Sequence, residues 1–345
     1  MANNKLFIQT LQGKKTDRVP FWFMRQAGRY LPEYMALRKE AGSFLDLCYN
    51  PDFATEVTLQ PIRRFNMDAA ILFSDILVIP HALGQDLAFK VGEGPVLTPV
   101  DNLKKLDALS MENLHEHLDP VYQTVENLAN KLPEHVALVG FAGAPWTVAT
   151  YMVNGKGSKD QAETRLMAYK DRETFQKLID LLVRSTSEYL IKQVDHGAEA
   201  LQIFDSWSGT LPADEFIKWC IDPVKKIIEN IRAVHPQIPI IGFPKGAGAK
   251  IKNFVKKTKV DAVSIDTSTS TTWVRDVMQP LCPVQGNLDP LLLVSGGEAL
   301  DKAVYHILDH LKAGPHVFNL GHGIIPQTPP ENVKRVSDIL LAYRK

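Results

Sequence analysis

Cysteine is nearly absent from this chain: Cys48, Cys220 and Cys282 are the only three in 345 residues, far apart and never in a CxxC pair. An odd, scattered set excludes a disulfide framework and fits a reducing compartment, so the expected location is cytoplasmic. Net charge is missing too. Lysine plus arginine equals aspartate plus glutamate, 39 of each, so no global field selects nucleic acid or a membrane surface as a partner. Any anionic ligand must be met by a local cluster. The one long uncharged run, Val136 to Gly155, is divided by Gly140, Gly143, Pro145 and Asn154, which predicts a buried strand, a corner and a helix rather than a membrane span. The opening MANNKLFIQTLQG lacks the apolar centre and cleavage site of a secretory signal and reads as a short amphipathic helix.

Signature motifs are lacking as well. There is no GxGxxG after the first strand-like run, no GxxxxGKS/T, no GxSxG and no HExxH, and no His, Cys or carboxylate spacing that suits a metal. KGAGAK, Lys245 to Lys250, has glycine spacing that could hold an anion, but it is a weak signal. The site is therefore expected to work without nucleotide, metal or covalent nucleophile.

What the chain does have is repetition of one pattern. Eight short apolar runs are mostly followed by a glycine-rich or polar corner and then a helical pattern: Val19 to Phe23, Ala69 to Phe73, Val136 to Phe141, Glu199 to Phe204, Ile238 to Phe243, Val260 to Ile265, Pro283 to Gly286 and His316 to Leu320. Near-continuous apolar runs suit strands buried on both faces of a parallel sheet. Eight such units predict an α/β fold of the (β/α)8 TIM-barrel type, with a doubly wound open sheet as the alternative. No repeat, low-complexity tract or linker divides residues 1–345, so a single domain is expected. Helices are expected over Pro51 to Phe65, where Pro61 predicts a kink or break, and over Met111 to Leu132, Asp171 to Val194, Leu211 to Val234, Gly296 to Lys312 and Pro330 to Tyr343. Residues 86–100 read as a small hairpin insertion with Gly92 and Gly94 in its turn.

In a barrel the corners after the strands ring one mouth, where the chemistry belongs. The first corner carries Arg25 and Arg29 with Gln26, Ala27 and Gly28 between them. Arginine forks suit carboxylates and a glycine lets backbone approach a ligand, although both arginines could instead pair with Glu33, Glu40 or Asp46. The second corner ends an apolar run on Asp75, a carboxylate that needs either a cap or cationic partner in the protein or a ligand to meet it. Tyr151 follows the third corner, Ser206 the fourth, and His322 stands between two glycines after the eighth. Each alone is more often structural than functional, His322 less so because its flanking glycines leave the imidazole unshielded.

Taken together, PFWFMRQAGRYLPEY, ILFSDILVIPHALG, GFAGAPWTVATYMVNG, FDSWSG and FNLGHGI strongly resemble the uroporphyrinogen decarboxylase family, in order and across almost the whole chain. The resemblance implies a distorted (β/α)8 barrel, usually a homodimer, that uses no cofactor and converts the four acetate arms of uroporphyrinogen III to methyl groups in haem biosynthesis. It implies that Asp75 meets the pyrrole N–H groups and stabilises the cation formed as CO2 leaves. Arg25, Arg29 and His322 would hold substrate carboxylates, with Gln26, Ala27 and Gly28 lending backbone and Tyr151 and Ser206 completing the polar rim. Phe44, Phe141 and Phe204 would form apolar walls. The rivals are a related barrel that transfers methyl groups with a His- and Cys-held zinc, against which stands the absence of cysteine beside the last corner, and a tetrapyrrole carrier without activity.

Overall fold

The computed structural model describes residues 4–90 and 94–344. A seven-stranded parallel sheet, in order β1-β4-β5-β6-β7-β8-β9, is formed by β1 (Ala69–Ile71), β4 (Ala137–Gly143), β5 (Ala200–Asp205), β6 (Ile240–Pro244), β7 (Ala262–Ser264), β8 (Val284–Gln285) and β9 (His316–Val317). The intervening β2 (Leu87–Lys90) and β3 (Gly94–Leu97) form a separate antiparallel hairpin. Gly92, expected in its turn, lies outside the described residues, while Gly94 opens β3 with φ +81°.

Val19 to Phe23, expected as the first of eight strands, makes no ladder of its own. Pro20 has no N–H to give, and the Phe21 N–H donates to the Asp68 carboxylate at 2.9 Å, so a single bridge, Phe21 to Phe318, remains. The segment still spans the gap in the sheet. On one side the Phe318 N–H donates to the Pro20 carbonyl at 2.9 Å, and on the other the Asp68 N–H donates to the Phe21 carbonyl at 2.9 Å. The fold is thus a TIM-type barrel with its first stave reduced to a few bonds. That is the distortion.

Every residue of β4 and of β6 is buried, because helices cover the sheet outside and side chains fill it inside. The inner set is Trp22, Met24, Ala69, Ile71, Val139, Ile241, Phe243 and Val317, packed with Phe7, Ile8 and Leu11 of the helix Leu6–Leu11. That helix lies at the N-terminal end of the barrel, where Lys5 reaches the Val136 carbonyl and Glu199. A buried polar layer crosses the interior. The Trp22 indole donates to Gln285, whose amide donates to Gln202 at 3.0 Å and to Ser264 at 3.2 Å. With one end plugged and the middle filled, only the C-terminal end of the barrel is left open for a ligand.

The helices largely follow the expected spans: Leu114–Lys131, Arg172–Asp195, Gly297–Leu311 and Pro330–Ala342. Pro61 does not break Pro51–Phe65, which runs through it as one helix capped by the Asn50 side chain. The stretch expected from Leu211 to Val234 is divided into Ala213–Phe216, a π-helical turn Ile217–Ile221 and Asp222–Val234. Pro223, just beyond that turn, cannot donate a helical N–H. Among the described residues no helix is long and apolar enough to cross a membrane.

Candidate active site

Strand pleating sends alternate residues inward, and beyond β5 and β6 the inner row ends on the polar Ser206 and Lys245. Phe141, Phe204 and Phe243 form one inner layer, with ring centroids 5.7 Å and 6.1 Å apart. One step nearer the mouth stand Gly143, Ser206 and Lys245. Gly143 is required there, since a Cβ on it would lie 2.7 Å from Val148 and 2.9 Å from Ile76.

Asp75 sits in the mouth after β1. Its Oδ1 accepts the Leu77 N–H at 2.8 Å, and Arg25 acts on it through its charge. Burial outweighs both and pushes the Asp75 carboxyl up to about 6. The sequence left open whether desolvation or arginine would prevail; desolvation does. Asp75 in turn raises the Cys48 thiol, already pushed up by burial, and the Tyr151 hydroxyl. For Tyr151 burial is the larger cause, opposed in part by the Trp207 indole, whose ring centroid is 6.1 Å away.

Arg25 is held in the left-handed region at φ 61°, which turns its side chain toward the last corner. There it lies across Gly323: a Cβ on that glycine would come within 2.4 Å of Arg25 Cδ and 2.6 Å of Cγ. The glycines flanking His322 therefore make room for neighbours, and Gly321 likewise accommodates the Thr267 backbone. Burial, with Arg25 and then Lys245 adding to it, drives the His322 imidazole down to about 4. At neutral pH the His322 imidazole is therefore uncharged in this setting.

The alternative pairing of the arginines is not observed. Glu33 pairs with Arg64 and Asp46 closes a capping box with Ser43, while Arg25 and Arg29 form no ion pair among the described residues. Gln26 also departs from expectation. Its backbone N–H donates to Phe23 and its carbonyl accepts from the Tyr30 hydroxyl, so it has no backbone N–H to lend. Its side chain is buried with both polar atoms unpartnered. The N–H groups of Ala27 and Gly28 make no hydrogen bond among the described residues and remain available.

Phe44 packs edge-on against Phe73, 5.9 Å between centroids, and against Phe89 of the hairpin at 4.5 Å. Leu87 and Leu97 of the hairpin pack with Leu77, Ile76 and Tyr151. The insertion, for which sequence reading finds no role, is therefore a wall of the mouth beside Asp75. Sequence reasoning also missed Trp207, and it weighed Lys245 only as the first residue of a glycine-spaced stretch. Period-two counting from Phe243 would have found Lys245.

A separate groove beside the hairpin, lined by His81, Gln85, Asp86, Asn113 and His117, shares Leu87 and Leu97 with the wall of the mouth but contains none of Asp75, Arg25 and His322. The three cysteines are unpaired, and Cys282 precedes β8, at the end of the barrel opposite the mouth. Among the described residues no three of His, Cys, Asp or Glu gather as a metal site would require.

Comparison with known proteins agrees with this architecture. A solved methyltransferase from Methanosarcina mazei superposes with a TM-score of 0.82 over 98% of both chains, at 19% identity, which is a likeness of fold alone. A B12-independent methionine synthase from Shewanella gives 0.59 at 10% identity, covering 96% of this chain and 98% of that one. Sequence similarity goes further. The chain is 54% identical over 340 residues to a uroporphyrinogen decarboxylase of Rhodospirillum rubrum, covering 99% of this chain and 98% of that protein. It is 55% identical over 331 residues to one of Brucella anthropi, covering 96% of each. The profile described as uroporphyrinogen decarboxylase (URO-D) matches residues 2–343. With motifs, fold and full-length identity in agreement, this chain belongs to the uroporphyrinogen decarboxylase family.

Proposed function

We propose that this chain removes the carboxyl groups of the four acetate arms of uroporphyrinogen III, giving coproporphyrinogen III on the route to haem. The observation that carries the reading is Asp75: a half-buried carboxylate with one backbone donor and a neighbouring arginine, at the open end of a barrel whose chain is over 50% identical to named decarboxylases. Pyrrole N–H groups would complete its hydrogen bonding.

Each cycle adds a proton to a ring carbon, making the pyrrole a cationic electron sink. The C–COO− bond then breaks, its electron pair enters the ring and CO2 departs. A proton finally replaces the lost carboxylate and the ring proton is released, leaving a methyl group. Ionised Asp75 lowers the energy of the cationic stage, because a fixed anion in a dry site acts where positive charge develops. Arg25 and Arg29 hold carboxylate arms, His322 and Ser206 add neutral hydrogen bonds, and Ala27 and Gly28 offer backbone N–H groups. Tyr151 is a poor proton donor because burial keeps its hydroxyl protonated, and His322 carries no acidic proton at neutral pH. A water held by Arg25 is the donor we favour. The same family membership supports a cytoplasmic homodimer, which light scattering would test.

The deciding experiment is anaerobic incubation with enzymatically generated uroporphyrinogen III, followed by oxidation and separation of products by carboxylate number. Species with seven to four carboxylates are expected. Unchanged substrate that nevertheless stays bound would replace this reading with that of a carrier.

The acid limb of activity supplies a second test. Asp75 must be ionised and its carboxyl stands at about 6, so kcat/KM should fall as pH drops through about 6. Arg25 pulls this value down, so Arg25→Gln should move the limb upward. An acid limb near 4 in the wild type would contradict the assignment.

A further inference from the structure

KGAGAK has so far no part in the chemistry, yet its two lysines have different surroundings. Lys250 is a structural group: its ammonium donates to the Gly209 carbonyl at 3.2 Å and the Leu211 carbonyl at 2.6 Å, and sits 4.9 Å above the Phe216 ring. Lys245 has no such partners. Its side chain enters no ion pair or hydrogen bond among the described residues, although it is half-buried.

Its position is set by its backbone. Phe243 pairs with Phe204 and Pro244 with Asp205 across β5 and β6. One residue beyond the strand, the Lys245 N–H donates to the Asp205 carbonyl at 3.1 Å and the Phe243 carbonyl at 3.0 Å, and its carbonyl accepts from the Ser208 hydroxyl at 3.2 Å. Gly246, at φ +74°, then turns the chain and donates its N–H to Asp266 at 2.7 Å. Gly209 packs so closely on Gly246 that a Cβ would lie 2.6 Å from its carbonyl oxygen. The two corners are locked together. Lys245 thereby stands on the inner face beside Ser206, one layer above Phe204 and Phe243, and its charge reaches His322.

Protein carboxylates near it are already engaged. Asp205 accepts the Thr147 hydroxyl at 2.6 Å on the outer side of the sheet, and Asp266 accepts from the Ser268 N–H and hydroxyl, the Thr269 hydroxyl and the Gly246 N–H. A half-buried ammonium with no counter-ion lacks the compensation such burial requires, and a ligand anion provides it. With His322 neutral, the fixed cations offered to a substrate bearing eight carboxylates would otherwise be two arginines from a single corner.

Resting on the function proposed above, we propose that Lys245 is a third cationic arm of the site, binding a carboxylate of the tetrapyrrole on the side of the mouth opposite Arg25 and Arg29 in the sequence of corners. A lysine is suited to an arm that changes position between successive decarboxylations, since its ammonium is a point charge on a flexible stem and does not demand the planar geometry of a guanidinium fork.

The test compares wild type with Lys245→Met, Lys245→Arg and, as a control of equal charge change on an exposed helix face, Lys252→Met. Binding of uroporphyrin, a non-reacting octacarboxylate, is read by tryptophan fluorescence, and KM and kcat are measured on the porphyrinogen. Lys245→Met is expected to weaken uroporphyrin binding and raise KM about tenfold with kcat within about threefold, as loss of one charge-assisted contact predicts. Lys245→Arg should restore binding to within about threefold, and Lys252→Met should change neither. Lys245→Met binding within twofold of Lys252→Met, or a loss confined to kcat, would overturn the assignment. Wild type that binds uroporphyrin yet leaves the porphyrinogen unconverted would refute the decarboxylase reading, and the binding comparison would still decide Lys245.

Discussion

Asp75→Asn should lose activity and gain stability. The replacement keeps shape and volume, so the mouth stays packed, but an amide carries no charge to set against the pyrrole cation and turns an N–H2 toward ring N–H donors. Removing a fixed electrostatic stabiliser of this kind lowers kcat on the order of 10²- to 10³-fold. Stability should move the other way. Burial raises the folded carboxyl to about 6, above its ~3.9 in an unfolded chain. The folded state therefore binds the proton more tightly, and the ionised group costs stability above pH 6, a cost that fades as pH falls through the window to about 4. Asp75→Asn should accordingly raise Tm at pH 8 and leave it nearly unchanged near pH 4. Steady-state kinetics and calorimetry on the same preparation read both effects. A kcat within tenfold of wild type would remove Asp75 from the chemistry, whatever the melting curves show.

Gly323→Ala is expected to disable the site without unfolding the protein. The added Cβ would fall 2.4 to 2.9 Å from Arg25 Cδ, Cγ and Nε, which is too close for both to remain. Arg25 can swing aside more easily than the buried corner can shift, because it is exposed and its guanidinium forms no ion pair among the described residues. Tm should therefore change by only a few degrees, while kcat/KM falls about 10- to 100-fold, since a displacement of about 1 Å in a positioning group is enough for such a loss. Removing Arg25's field should also let the Asp75 carboxyl rise, moving the acid limb in the same direction as in Arg25→Gln. Full activity in Gly323→Ala would show that Arg25's observed path is not the one used in turnover.

The strand-like runs that predict a barrel are local signals, and they were readable because parallel strands are buried on both faces. AAI, ALVGFAG and IIGFP needed no partner to be recognised. Val19 to Phe23 looked equally strand-like, but what became of it depended on the Asp68 carboxylate, forty-seven residues away, taking the Phe21 N–H. Pro61 shows the opposite override. A residue that breaks helices in isolation sits inside Pro51–Phe65, whose buried apolar face includes Val57, Ile62 and Phe65.

For the site, the sequence by itself determined the chemical groups: two arginines in one corner, a carboxylate at the end of an apolar run, a histidine between glycines, and no nucleotide or metal motif. Their charge states and directions were decided only in the tertiary structure. Burial made His322 neutral and raised Asp75, the left-handed turn at Arg25 sent it across Gly323, and the hairpin became a wall of the mouth. The physical reason is the same in each case. Residue type and spacing are local, whereas desolvation and electrostatic fields depend on what distant parts of the chain bring within a few ångströms.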